Sequence, residues 1–80
     1  MTTLHVSFFA AFRDQTGVSE QTVTTNAVSA RELFDELRST FTGLEAYVNM
    51  KFAVNDEMVD ADYVLRDNDR VLFFPPVAGG

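Results

Sequence analysis

The spacing of hydrophobic residues changes along this chain, and each change marks an element. Leu4, Val6 and Phe8 alternate with His5, Ser7 and Phe9, a period of two that predicts a half-buried strand over residues 4–9. Gly17 marks a loop, after which the β-branched run Thr22, Val23, Thr24 and Thr25 predicts a second strand over Glu20–Thr25. Its polarity places it toward a sheet edge, hairpin-paired to the first strand across a long turn. The period then shifts. Ser29 can accept from the backbone N–H of Glu32, the Glu32 side chain can reach back, and Val28 can staple against Leu33, which together start a helix. Leu33, Phe34, Leu37 and Phe41 form its apolar stripe, Arg31, Asp35, Glu36 and Arg38 face solvent, and Gly43 is expected to close it. Beyond a looser segment with Leu44, Tyr47 and Val48, residues 52–54 form a third strand and Glu57–Val59 a short fourth. Asp67, Asn68 and Asp69 make a turn into the final strand, Arg70–Phe74.

The predicted order is strand, strand, helix, strand, short strand, strand: an α+β fold with one main helix packed on a mixed sheet. Eighty residues allow one domain, and 46% hydrophobic residues with eight phenylalanines supply its core. The absence of cysteine excludes disulfides, thiol nucleophiles and cysteine-held metal clusters, so packing alone must stabilise the fold. No apolar run reaches the ~20 residues of a membrane helix, and no signal-peptide pattern opens the chain, so a cytoplasmic location is expected. Twelve acidic against six basic residues give a net charge of −6, which repels nucleic acid and anionic membranes and would attract a basic partner surface, although maintaining solubility is the commoner role of such a charge.

The ending carries the chemistry. Pro75 and Pro76 fix two backbone angles and drive the chain away from helix, so the segment leaves the last strand stiff and extended. Val77 and Ala78 are small, and Gly79 and Gly80 have no Cβ, so the terminus can thread a narrow channel. Two terminal glycines alone would read as a frayed end; the proline pair and small spacers before them single out the Gly80 carboxylate as a reactive group. A carboxylate is a poor electrophile that needs a leaving group such as AMP, and no phosphate-binding glycine loop is present to install one. A partner enzyme must therefore activate Gly80, after which a sulfur nucleophile gives a thiocarboxylate and a lysine amine gives an isopeptide.

Several stretches resemble the MoaD/ThiS-like β-grasp sulfur carriers, and within them the small subunits of molybdopterin synthase. These are Val6-Ser7-Phe8-Phe9-Ala10 with Arg13 and Gly17; Lys51 and Ala53-Val54-Asn55; Leu65 with Asp67 and Asp69; and above all the close from Val71 to Gly80, with Phe73-Phe74-Pro75-Pro76 before the glycines. The similarity spans nearly the whole chain. Asn68 departs from the glycine many relatives carry there, but suits the same turn. The resemblance implies a β-grasp, ubiquitin-like domain over residues 1–74 and an extended tail over 75–80. It also implies that a ubiquitin-activating-like adenylyltransferase of MoeB type uses ATP to adenylate Gly80, and that a sulfur donor protein converts it to a covalent 1-thioglycine. This chain would bind no cofactor of its own. The thiocarboxylate would then enter the molybdopterin synthase large subunit, which holds the catalytic groups, and turn cyclic pyranopterin monophosphate into molybdopterin within a heterotetramer. Three alternatives stay open: a ubiquitin-like modifier conjugated through Gly80, a carrier for another pathway such as thiamine biosynthesis, and a plain β-grasp interaction module with an accidental tail.

Strand parity adds a docking face. If Val6, Phe8, Val71 and Phe73 point to the helix, then Phe9, Leu72 and Phe74 point outward, and Met58 can join them. Apolar residues on the outer side of a sheet predict a partner surface, unless a loop covers them. Arg13 and Lys51 could pair with a partner or guide the tail, although a solvated charge is the commoner role. His5 lacks companions for a metal site or triad, and Asp60, Asp62, Asp67 and Asp69 lack calcium-loop spacing, so turn chemistry accounts for them.

Overall fold

A computed structural model describes residues 1–45 and 50–75. Tyr47 and Val48 of the looser segment, and the tail residues Pro76, Val77, Ala78, Gly79 and Gly80, lie outside the described residues. The elements are β1 (Thr2–Phe8), α1 (Ala11–Thr16), β2 (Glu20–Thr25), α2 (Ala30–Thr40), β3 (Lys51–Val54), β4 (Glu57–Val59) and β5 (Arg70–Phe74). They build a five-stranded sheet in the order β2-β1-β5-β3-β4. β1 and β5 run parallel at its centre, while β2 pairs antiparallel with β1, and β3 antiparallel with both β5 and β4. The predicted hairpin and the edge position of β2 are both present.

α2 covers one face of the sheet. Leu33, Phe34 and Leu37 from the helix meet Leu4, Val6, Phe8, Phe52, Val54, Val71 and Phe73 from the strands in one buried cluster. Phe73 is its hub, with ring centroids 5.1 Å from Phe34, 5.7 Å from Phe52 and 6.1 Å from Phe8. The helix starts as its sequence dictates: the Ser29 side chain accepts from the Glu32 N–H at 3.1 Å. Glu32 reaches back to the Val28 N–H at 3.2 Å. Two further N–H groups of the first turn, on Ala30 and Arg31, donate to the carbonyls of Tyr63 and Ala61, so the strap before β5 satisfies donors that a helix end leaves over.

Three expectations change. The long turn between β1 and β2 contains the helix α1, which buries Phe12 completely; six residues are too few for a helical period to register in sequence. α2 ends at Thr40 with Phe41 as its C-cap, not at Gly43. Gly43 instead packs close to α1, where a Cβ would stand 3.0 Å from the Gln15 carbonyl oxygen. Val28 remains 56% exposed, so it does not form the expected staple. Among the described residues no helix is long and apolar enough to cross a membrane.

Two polar turns hold the far end of the sheet. Asn55 and Asp56 both have positive φ, 52° and 71°, the requirement of the two-residue type I′ turn that joins β3 to β4. Asn68, with φ 68°, supplies the left-handed residue of the turn before β5. Asp69 is buried there and accepts from Asn55 Nδ2 and the Arg66 N–H, each at 2.9 Å. The acidic cluster is therefore partly a structural junction.

Candidate functional site

The face of the sheet turned away from α2 is built row by row from strand register. Ser7 on β1 stands beside Leu72 on β5, Leu72 beside Ala53 on β3, and Ala53 beside Met58 on β4. Alternation along the strands sends these four outward, because their neighbours Val6, Phe8, Phe52, Val54, Val71 and Phe73 are in the core. The next row toward the tail pairs Phe74 with Lys51. Phe9, one residue past the end of β1, completes it by stacking on Phe74 with ring centroids 5.0 Å apart and planes 11° from parallel.

Phe9, Met58, Leu72 and Phe74, the four residues expected from sequence to bind a partner, thus lie on one surface. Met58 is 62% exposed and Phe9 41%, while Leu72 and Phe74 are half-buried. Covering a fully exposed side chain of this size is worth about 1.5–3 kcal/mol, and only the part of each residue still in water counts toward it. Phe74 ends β5 and Pro75, half-buried, follows it. The apolar face therefore stands at the root of the tail. The other proposed tail residues, Pro76, Val77, Ala78, Gly79 and Gly80, lie outside the described residues.

At the opposite end the face turns polar. His5 pairs in register with Arg70 and Thr22, and Arg70 contacts Asp56 at 2.9 Å with both side chains largely exposed. An ion pair in that setting contributes little stability. The sheet surface thus grades from charged and hydroxylated near the Asn55–Asp56 turn to aromatic near the tail.

Two members of this surface were given little or no weight in the sequence. Ala53, though outward, is 4% exposed because Leu72 and Met58 flank it; strand parity relative to Phe52 and Val54 was the signal that would have placed it. Lys51 takes a defined position opposite Phe74, whereas Arg13 sits exposed on α1.

Comparison with known proteins matches this geometry to a family. The sequence profile of the ThiS family matches residues 6–80. The chain is 32% identical over 81 residues to a molybdopterin synthase sulfur carrier subunit of Drosophila sechellia, covering 96% of this chain and 90% of that relative. The structure of a putative molybdopterin converting factor subunit 1 from Pyrococcus furiosus is 29% identical, with a TM-score of 0.81 over 96% of this chain and 100% of that one. A chain in the complex of subunits 1 and 2 of the molybdopterin-converting factor from Helicobacter pylori is 25% identical, with a TM-score of 0.67 over 99% and 100% of the two chains. The mixed sheet on one main helix is thus the β-grasp fold, and the chain belongs to the ThiS family of MoaD/ThiS-type, ubiquitin-like sulfur carriers.

Proposed function

We propose that this chain is the sulfur-carrying small subunit of a molybdopterin synthase. The observation that carries the reading is the apolar outer face at the root of the tail, where Phe74 belongs at once to β5, to the stack with Phe9 and to the residue pair that leads into Pro75. A carrier needs two things from its own chain: a reactive terminus, and a surface that holds a partner while the terminus reacts. The similarity to a named molybdopterin synthase sulfur carrier subunit favours that pathway.

In this reading the face docks in turn on an adenylyltransferase of MoeB type and on the large synthase subunit. On the first partner a Gly80 carboxylate oxygen attacks the α-phosphorus of ATP and pyrophosphate leaves. The terminal sulfur of a donor persulfide then attacks the acyl carbon, AMP leaves, and a thiol reduces the acyl disulfide to the thiocarboxylate. On the large subunit the thiocarboxylate sulfur attacks an electrophilic carbon of cyclic pyranopterin monophosphate and displaces an oxygen substituent to give a thioester, and water then cleaves the acyl–sulfur bond, leaving the sulfur on the pterin and returning Gly80 to a carboxylate. The docking face serves by orientation, converting an encounter of a dilute peptide end into a reaction between held groups.

The test is reconstitution. Thiocarboxylated protein mixed with the large subunit and cyclic pyranopterin monophosphate is expected to form molybdopterin and to regenerate the carboxylate in proportion. Loaded protein that forms none with an active large subunit would refute the pathway. Gly80 found instead in isopeptide linkage to lysines of many cellular proteins would establish the modifier reading.

A further inference from the structure

The two edges of the sheet are unlike. β4 is three residues long and starts directly after the Asn55–Asp56 turn, which leaves little backbone to template another strand. β2 is six residues long, pairs with β1 without a bulge from Ser7–Glu20 to Thr2–Thr25, and carries no lysine or proline. Short length, bulges, lysine and proline are the devices that commonly close an edge to further pairing. β2 uses none of them.

Register decides which groups that edge offers. The His5 N–H donates to the Asp69 carbonyl on the β5 side of β1, and the Phe8 N–H to the Ser19 carbonyl on the β2 side, each at 2.9 Å. Even-numbered residues of β1 therefore bond to β2, and through the pairs Thr2–Thr25, Leu4–Val23 and Val6–Gln21 they take the odd-numbered residues of β2. The backbone N–H and C=O groups of Glu20, Thr22 and Thr24 face out of the sheet and meet no hydrogen-bond partner among the described residues. All three residues are exposed, while Val23, paired with buried Leu4, turns toward α2 and is half-buried.

Carboxylates stand at both ends of this edge. Glu20 opens β2, and at its close the Thr25 hydroxyl donates to Glu36 Oε2 of α2. Residues 20–30 contain no lysine or arginine. Arg31 is already paired with Asp35, and Arg70, two strands away, with Asp56. The border therefore favours a cationic occupant, whereas a second copy of this chain, itself at −6, would bring like charge.

We propose that the free edge of β2 docks an extended basic segment of a partner protein, which adds to the sheet as a sixth strand. Its backbone bonds to Glu20, Thr22 and Thr24, an apolar side chain packs on Val23, and lysines or arginines at its ends meet Glu20 and Glu36. Because β1 lies between β2 and β5, a segment held there leaves Leu72, Phe74 and Met58 uncovered. The inference goes beyond the carrier reading and does not depend on it.

The experiment titrates the isotope-labelled full chain with a peptide of alternating valine and threonine carrying lysines at both ends, followed by amide NMR and hydrogen exchange. Saturable binding is expected to slow exchange at Thr22 and Thr24 at least about tenfold and to leave the Phe74 amide unchanged. Glutamates in place of the lysines should weaken binding at least about tenfold, and so should N-methylation of the peptide amides that face β2, which keeps the charge but removes the donors. Thr24→Pro, which deletes an N–H that β1 does not use, should have the same effect at a position where a strand tolerates proline. Because the peptide variants are read on the wild-type chain, the test does not rest on how well Thr24→Pro folds. Equal affinity for the N-methylated peptide would reduce the contact to charge attraction and overturn the proposal. So would equal affinity for the glutamate peptide, or no protection at Thr22 and Thr24. Protection of the same amides that rises with the concentration of the chain alone would assign the edge to a second copy and would also overturn it.

Discussion

Replacing Asn55 tests the junction that ties the β3–β4 hairpin to β5. Its side chain donates from Nδ2 to Asp69 Oδ1 at 2.9 Å and accepts at Oδ1 from the Arg70 N–H at 2.9 Å, while its backbone sits at φ 52°. The bond to the carboxylate is charge-assisted and part-buried, worth about 1.5–3 kcal/mol; the exposed bond to Arg70 contributes about 0.5 kcal/mol. Asn55→Gly removes both bonds yet adopts the left-handed backbone freely, so it should cost about 2–3 kcal/mol. Asn55→Ala removes the same bonds and also strains the turn, adding about 0.5–1 kcal/mol. In a domain of this size 1 kcal/mol moves the melting midpoint by about 4–8 °C, so the glycine variant should melt roughly 10–20 °C lower and the alanine variant lower still. Urea titration followed by circular dichroism gives the same ranking from the midpoint shifts. If Asn55→Gly unfolds with wild type, the side-chain bonds contribute nothing net and the junction is incidental. If alanine is no worse than glycine, the left-handed turn carries no cost. Because Met58 rides on β4 and Leu72 on β5, loosening this junction should also weaken docking.

Three other outcomes follow from the same geometry. Phe73→Ala removes a fully buried ring that meets Phe8, Phe34 and Phe52, and should cost about 3–5 kcal/mol by urea titration, the largest loss in this set. Ser29→Ala deletes the side-chain cap on the Glu32 N–H and should cost about 1 kcal/mol, with faster amide exchange confined to the first turn of α2. Phe74→Glu puts a charge at the centre of the apolar face and should weaken binding to both partner proteins at least about tenfold by calorimetry, equivalent to about 1.4 kcal/mol; normal binding would disprove the docking face.

Most of the fold was legible because its signals are local. The alternation of Leu4, Val6 and Phe8, the Ser29–Glu32 cap and the Asp67–Asp69 turn each act within a few residues, and each is found in place. What escaped depended on distance along the chain. Phe12 is core only because α1 folds back over β1, and Gly43 matters only because the Gln15 carbonyl comes to 3.0 Å of where its Cβ would be. Asp69 looked like turn chemistry alone, yet Asn55, fourteen residues earlier, makes it a buried junction. The apolar outer face was visible as parity, since Leu72 and Phe74 alternate with buried Val71 and Phe73. Its arrangement in rows needed the register of four strands, which no single segment encodes.

The central claim, that Gly80 is a carried reagent and not merely a chain end, is tested most directly by intact-mass spectrometry. The full chain, incubated with an active adenylyltransferase, ATP and a persulfide sulfur donor, should gain the mass of one oxygen replaced by sulfur, located at Gly80 by fragmentation, while a variant lacking Gly80 stays folded and gains nothing. An unchanged wild-type mass under conditions that load another carrier of the family would contradict the account.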